Sequence, residues 1–272
     1  MKNNTYRVLA LDLDGTLTNE KKEVTPRTKE AVRRAIHAGV AVVLATGRPL
    51  IGVLPVAREL ALDTLGGYIL CYNGALIQEC RANTPVFRRI LPANAVKDIC
   101  AWARGKPVCP LAYDACGVIT PYPDNRYVLK EAYNNNLGIR AVEDLPGFID
   151  YPIEKMMLVG EPSDARAALP ELKARFGGEL NIFGSEPPFI EVMPPEVDKA
   201  FALDVLLNHI GVTREALIAC GDGMNDIPML RIAGMAVAMG NAAAAVKALA
   251  GFVTRSNEED GVAHAIERFI DI

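Results

Sequence analysis

Two aspartates with one residue between them stand in the run Asp12-Leu13-Asp14-Gly15-Thr16, directly after the apolar segment Tyr6 to Leu11. That segment reads as a strand, so both carboxylates emerge at its carboxyl end, where open parallel sheets place their ligands. Side chains two apart share one side of an extended chain, and carboxylates that close repel unless a cation or a proton lies between them. A hard divalent metal with oxygen ligands is the economical answer. For D-x-D alone, an acidic turn capping a strand is the favoured reading, and it weakens only once the other groups are counted. A calcium loop is a further rival, since Asp12, Asp14 and Glu23 fall at positions 1, 3 and 12 of a twelve-residue loop. It fails because Leu17 stands where that loop turns sharply on a glycine, and because strand precedes Asp12 where a helix is required.

Three further groups occupy equivalent places. Ala45-Thr46-Gly47-Arg48 closes a second apolar strand, where a hydroxyl with one or two backbone N–H groups can make a small anion cradle, although taken alone a simple turn with a solvated Arg48 is the favoured reading. Lys199 lies at the start of a helix in Glu196-Val197-Asp198-Lys199-Ala200; a lone lysine is ordinarily a solvated one. Cys220-Gly221-Asp222-Gly223-Met224-Asn225-Asp226 again separates strand from helix, with acids placed as metal ligands and glycines that permit close approach. It lacks the third glycine of a dinucleotide fingerprint, and no G-x-x-x-x-G-K run occurs to make a nucleotide-binding P-loop.

The elements that must position these groups alternate strand and helix. Thr25-Pro26 predicts a helix N-cap with proline at the first helical position, Gly39 a helix stop, and Val40 to Ala45 a strand covered on both faces. This is a βαβ unit and hence a parallel sheet. Tyr68 to Tyr72, Asn73-Gly74 and Ala75 to Gln78 form a hairpin signal. The alternation returns at Ala202 to His209, Ala216 to Cys220, Asp226 to Ile232, Met235 to Met239 and Gly261 to Ile270. Between residues 84 and 193 the texture changes, with frequent Pro and Gly, tyrosines clustered from 113 to 151, and strand-like runs Lys155 to Val159 and Phe189 to Met193. The expected fold is therefore α/β, a Rossmann-like doubly wound parallel-sheet core of residues 1–83 and 194–272 with an inserted α+β domain of residues 84–193. Asn83-Thr84-Pro85 and Pro194-Pro195 are the stiff connections.

Composition narrows the class. Of 272 residues, 50% are hydrophobic and 23% charged, the balance of an ordinary globular protein, and the net charge of −4 provides no global positive field for nucleic acid or a membrane surface. The 6 cysteines contain no C-x-x-C pair, so free thiols are expected. No stretch reaches the roughly 18 apolar residues of a membrane span, and the expected location is the cytoplasm.

With these motifs in order, each after a strand, the sequence resembles the haloacid dehalogenase superfamily, and within it the Cof-type phosphatases with a C2B cap. Asp12 to Thr16 resembles the family's D-x-D-G-T, Thr46 its second-motif hydroxyl, Lys199 its third-motif lysine and Gly221 to Asp226 its G-D-G-x-N-D signature. Asn73-Gly74-Ala75 is similar to the N-G-A segment that precedes the cap. The resemblance implies Asp12 as nucleophile and Asp14 as general acid and base. It implies Mg²⁺ held by the Asp12 carboxylate, the Asp14 main-chain carbonyl and the Asp222 carboxylate. Thr46, Gly47, Lys199 and Asn225 would grip the phosphoryl group, with Asp226 supporting the metal and Lys199. Relatives often carry Gly near Glu196 and Ala200, where this chain departs. The activity implied is Mg²⁺-dependent hydrolysis of small phosphorylated metabolites, sugar phosphates among them, through an aspartyl phosphate. A sugar phosphomutase and a non-enzymatic phosphate-ligand sensor are the alternatives, and the pair Asp12 and Asp14 weighs against the sensor.

Other residues read more plainly. His37, His209 and His264 have no partner at metal spacing, Met224, Met229, Met235 and Met239 read as core filling, and Lys155 reads as a solvated strand end. Arg48 receives no role.

Overall fold

The computed structural model describes residues 5–271. The chain divides into two compact units, one of Met1–Gly47, Val53–Phe87 and Asp198–Ile272, the other of Arg48–Gly52 and Arg88–Val197. Among the described residues no helix is long and apolar enough to cross a membrane.

The first unit is built on an eight-stranded sheet. Its strands are β1 (Val8–Leu11), β2 (Ala41–Ala45), β3 (Tyr68–Cys71), β4 (Leu76–Glu79), β5 (Thr84–Arg88), β12 (Leu217–Gly221), β13 (Met235–Ala238) and β14 (Phe252–Val253). The second unit contributes β6 (Val108–Tyr113), β7 (Gly117–Thr120), β8 (Gly138–Ala141), β9 (Met156–Gly160), β10 (Asn181–Gly184) and β11 (Phe189–Met193). The first sheet runs β14-β13-β12-β1-β2-β3-β4-β5. All four residues of β1 are buried, and it is parallel to both neighbours, with Leu11 opposite Cys220 on one side and Leu44 on the other. Such a strand is covered on both faces, which is why its sequence is unbroken Val, Leu and Ala. The helix Pro26–His37 joins β1 to β2; the Thr25 hydroxyl caps it by accepting from the Thr28 N–H, and Gly39 at φ +86° follows its end. Because the chain leaves β1 towards β2 and returns through β12 on the opposite side, the carboxyl ends of these three strands are neighbours. The fold is α/β, as the sequence pattern predicts.

Three local features differ from the sequence reading. The Asn73-Gly74 hairpin is not a two-residue turn: Cys71 and Leu76 are the last paired residues, and the Asn73 N–H turns away to donate to Thr46 O at 3.0 Å. Thr84 to Phe87, placed by the sequence reading at the start of the insert with Thr84-Pro85 as a stiff connection, lie in an edge strand of the first sheet, where Pro85 withholds no hydrogen bond from a central ladder. Phe252–Val253 spans only two residues, too short for a periodicity to show.

The sheet of the second unit runs β10-β11-β9-β6-β7-β8 and is antiparallel except between β7 and β8. Its two faces differ. Val108, Ala112, Met156, Leu158, Ile190 and Val192 pack into an apolar core with the helices Ala95–Ala103 and Pro162–Phe176. The alternate positions fall on the opposite face: Leu111, Met157 and Glu191 are in register across three strands, and Tyr113 and Lys155 lie two residues along. Here Lys155 is only 3% exposed, with its Nζ 3.4 Å from Glu191 Oε2 and 5.4 Å from the centre of the Tyr113 ring. The Tyr113 hydroxyl donates to Glu131 Oε1 at 2.6 Å. The expectation of a solvated Lys155 is thus overturned; one lysine among two carboxylates and an aromatic face is a buried charge with partners. All six cysteines are free thiols.

Candidate active site

The loops after β1, β2 and β12 carry the acids and hydroxyls singled out in the sequence. Asp12 follows β1 with its N–H donating to Cys220 O at 3.1 Å, so its position is set by the strand ladder itself. Lys199 is 1% exposed, at the first turn of the helix Lys199–Ile210, whose N-cap Asp198 accepts from the Phe201 N–H. The Lys199 ammonium donates to Asp12 Oδ1 at 2.7 Å and to Asp226 Oδ1 at 2.6 Å. Asp226 is also fully buried, and its second oxygen accepts from the N–H groups of Asp222 and Gly223 at 3.0 and 2.9 Å. One carboxylate thereby orients both the lysine and the turn bearing Asp222.

Asp222 faces the first loop. Its Oδ1 accepts from the Thr16 hydroxyl at 2.9 Å, and a Cβ on Gly15, at φ +81°, would come within 2.4 Å of Asp222 Oδ2. Gly15 is therefore required both for the left-handed turn and for the close approach of the Asp222 carboxylate. Asn241 Nδ2 donates to Gly15 O at 2.7 Å and Asn257 Nδ2 to Thr18 O at 3.0 Å, pinning the loop from the far end of the chain.

One oxygen from each of Asp12, Asp222 and Asp226 lies within 4.8 Å of the others. Three carboxylates against one lysine leave an excess of negative charge. Burial and the nearby Asp226 hold Asp12 well above the ordinary carboxylate range despite Lys199. Burial, with Asp226 beside it, pushes Asp222 up to about 6. Burial alone would lower the Lys199 ammonium, but Asp12 and Asp226 outweigh it and raise its pKa. Oxygen donors with uncompensated charge fit a hard divalent cation. The Asp226 oxygens are already engaged by Lys199 and two amides, leaving Asp12 and Asp222 as the carboxylates suited to a metal.

Asp14 is half-buried; Lys22 Nζ lies 2.6 Å from its Oδ1, and Lys22 occupies the left-handed region at φ +63°. No sequence signal singled out Lys22, nor Thr16 and Asn241 as partners of the loop. Thr46 is buried at the end of β2, its N–H donating to Leu70 O at 2.8 Å and its carbonyl accepting from Asn73. Gly47 lies against the Asn73 amide, since a Cβ there would be 3.1 Å from Asn73 Oδ1. The structure thus brings Asp12, Lys199, Asp222 and Asp226 into direct contact or near it, and sets Thr46 and Gly47 beside Asn73. Asn225 is exposed on the turn after Gly223.

The family pattern described as haloacid dehalogenase-like hydrolase matches residues 9–266. The chain belongs to that family. A Bacillus subtilis protein, YxeH, whose name assigns it provisionally to the phosphatases, is 32% identical over 97% of this chain and 98% of its own. The crystal structure of a haloacid dehalogenase-like hydrolase from Bacteroides thetaiotaomicron superposes with a TM-score of 0.93 at 43% identity, covering 97% of this chain and 99% of that one. The haloacid dehalogenase subclass IIB sugar phosphatase BT4131 superposes with a TM-score of 0.81 at 27% identity, covering 97% and 98%. The chain is accordingly an enzyme, a phosphatase of the haloacid dehalogenase-like hydrolases.

The departure from the hydrolase pattern before Lys199 has a structural answer. Glu196 adopts φ +57°, the region glycine occupies without strain, so the path to Lys199 is retained at a cost of about 1 kcal/mol. Met224, expected in the core, is 62% exposed because the turn of 224–226 points Asp226 inward instead; Met229 and Met239 are fully buried.

Proposed function

We propose that the chain is a Mg²⁺-dependent phosphatase of small phosphorylated metabolites, sugar phosphates among them, with Asp12 as nucleophile and Asp14 as general acid and base. The observation that carries this reading is the buried ammonium of Lys199 shared between Asp12 and Asp226 at 2.7 and 2.6 Å, beside Asp222. Mg²⁺ would be held by the carboxylates of Asp12 and Asp222 and the main-chain carbonyl of Asp14, and it would neutralise charge on the phosphoryl oxygens.

The residues themselves do the rest. An Asp12 oxygen attacks phosphorus as the ester P–O bond breaks, and the departing oxygen takes the proton of the Asp14 carboxyl. Lys199 holds Asp12 in line and, with the Thr46 hydroxyl and Gly47 N–H, faces the developing charge of the transferred group. In the second half Asp14, now a carboxylate, takes a proton from water as that water attacks phosphorus. The bond to Asp12 then breaks, and inorganic phosphate leaves with Asp12 restored. Asp226, bonded to Lys199 and the Asp222 turn, is a positioning residue.

The test is phosphate release from a broad panel of small monoesters, with Mg²⁺ or chelator, for wild type and Asp12→Asn. Release should require both the metal and Asp12, the variant losing on the order of 10⁴-fold or more. Equal rates in wild type and Asp12→Asn would remove Asp12 from the chemistry.

A further inference from the structure

The reaction above leaves Asn73-Gly74-Ala75 unused. This segment makes the turn between β3 and β4, next to β2 in the sheet. Tyr72 and Asn73 both have φ +50° and both are buried. Two successive side-chain-bearing residues in the left-handed region persist only where the surroundings dictate them, and such backbone gathers at functional sites.

The surroundings here are the phosphoryl grip. The Asn73 N–H donates to Thr46 O at 3.0 Å. The Asn73 amide fills the space over Gly47, where a Cβ would come within 3.1 Å of Oδ1 and 3.2 Å of Nδ2. Gly74, at φ +106°, presses on the start of the Lys199 helix, where a Cβ would meet Asp198 O at 2.5 Å and Ala202 Cβ at 2.8 Å. One strained turn therefore braces both the Thr46-Gly47 peptide and the helix end that presents Lys199.

We propose that Asn73 is a positioning residue for phosphoryl recognition, its main-chain N–H and side-chain amide together fixing the orientation in which Thr46 and Gly47 meet the phosphoryl oxygens. This rests on the phosphatase reading and adds a residue to it. A purely conformational role would be met equally by glycine, which enters the left-handed region freely. Asn73→Gly keeps the turn and its N–H while removing only the amide, and Asn73→Asp keeps the shape while placing a carboxylate over Gly47.

Steady-state kinetics on the best monoester, with competitive inhibition by inorganic phosphate and by orthovanadate, separate these cases. Asn73→Gly should keep the wild-type Tm and half-saturating Mg²⁺ concentration, hold kcat within about threefold, and raise KM and both inhibition constants about tenfold. Asn73→Asp should weaken both inhibitors further, since like charges face each other. Wild-type inhibition constants in Asn73→Gly, or a fall in kcat with those constants unmoved, would overturn the proposal. A wild type that releases no phosphate from any monoester would overturn the phosphatase reading itself, whereas an active wild type matched by Asn73→Gly would sink this proposal alone.

Discussion

Each unit of the molecule buries one lysine among carboxylates, and the two are handled differently. Lys199 is gripped by Asp12 and Asp226 at 2.7 and 2.6 Å, with Asp222 near. Lys155 lies 3.4 Å from Glu191 and over the Tyr113 ring, while Glu131 bonds that ring's hydroxyl. Both sets carry more acid than base. In the second unit burial holds Glu131 above the ordinary carboxylate range, outweighing Lys155 and the Tyr113 bond, which favours a proton there. In the first, two acids are raised at once and their oxygens lie within 4.8 Å of each other, an arrangement that fits a divalent cation. Like compositions of charge therefore serve distinct ends according to how tightly their oxygens converge.

Breaking the tighter set should have the largest effect. Lys199→Met leaves Asp12 and Asp226 facing each other without a cation, and should lower stability by about 3–5 kcal/mol in urea denaturation of the metal-free chain. A loss under 1 kcal/mol would mean that water reaches the site freely. Mg²⁺ should come next, raising stability by about 2.7 kcal/mol at a hundredfold excess over its Kd. At a fixed Mg²⁺ concentration the gain should be larger at pH 8 than at pH 5, because Kd rises as the carboxylates protonate. Asp222 is raised to about 6 when folded, so without metal its contribution to stability is complete below its unfolded pKa and is lost as pH rises through about 6. Metal takes the ionised form and restores what was lost. A thermal shift that is the same at both pH values would contradict this difference.

Lys155→Met should cost less, about 1–3 kcal/mol at pH 8, because its ion pair is longer and burial favours the protonated form of the neighbouring Glu131. The cost should shrink as pH falls, because burial favours the protonated form of Glu131; an undiminished cost at pH 5 would show that the proton is not the compensating charge. The smallest change is expected from Glu196→Gly, which relieves left-handed backbone but loosens the unfolded chain. Its effect on stability should stay within about 1 kcal/mol, with KM for the monoester unchanged.

What the sequence disclosed follows the same division. Asp12, Asp14, Thr46, Lys199 and Asp222 were legible because each stands at the carboxyl end of a strand or the start of a helix, and those elements announce themselves by unbroken apolar runs and caps. Lys155 was misread because burial of a strand residue depends on what covers its face, and strand periodicity does not say which face is covered. Pro85 disguised an edge strand, and the Asn73 turn was placed correctly but not its conformation, which the distant Thr46 carbonyl imposes. Lys22 carries no pattern at all; only its 2.6 Å approach to Asp14 marks it.

The central place of β1 in its sheet carries a lesson about biosynthesis. About 210 residues separate Asp12 from Asp222, and the loop that bears Asp14 and Gly15 is tied down by Asn241 and Asn257. At translation rates of about 5–20 residues per second, Asp222 follows Asp12 from the ribosome by roughly ten to forty seconds. For nearly all of that interval β1 lacks one of its two flanking strands; Lys199 arrives only about 23 residues before Asp222, and the partner loop last. The nascent chain is thus without a finished site until Asn257 has been made, and any truncation before Asn257 leaves the loop untethered at that end.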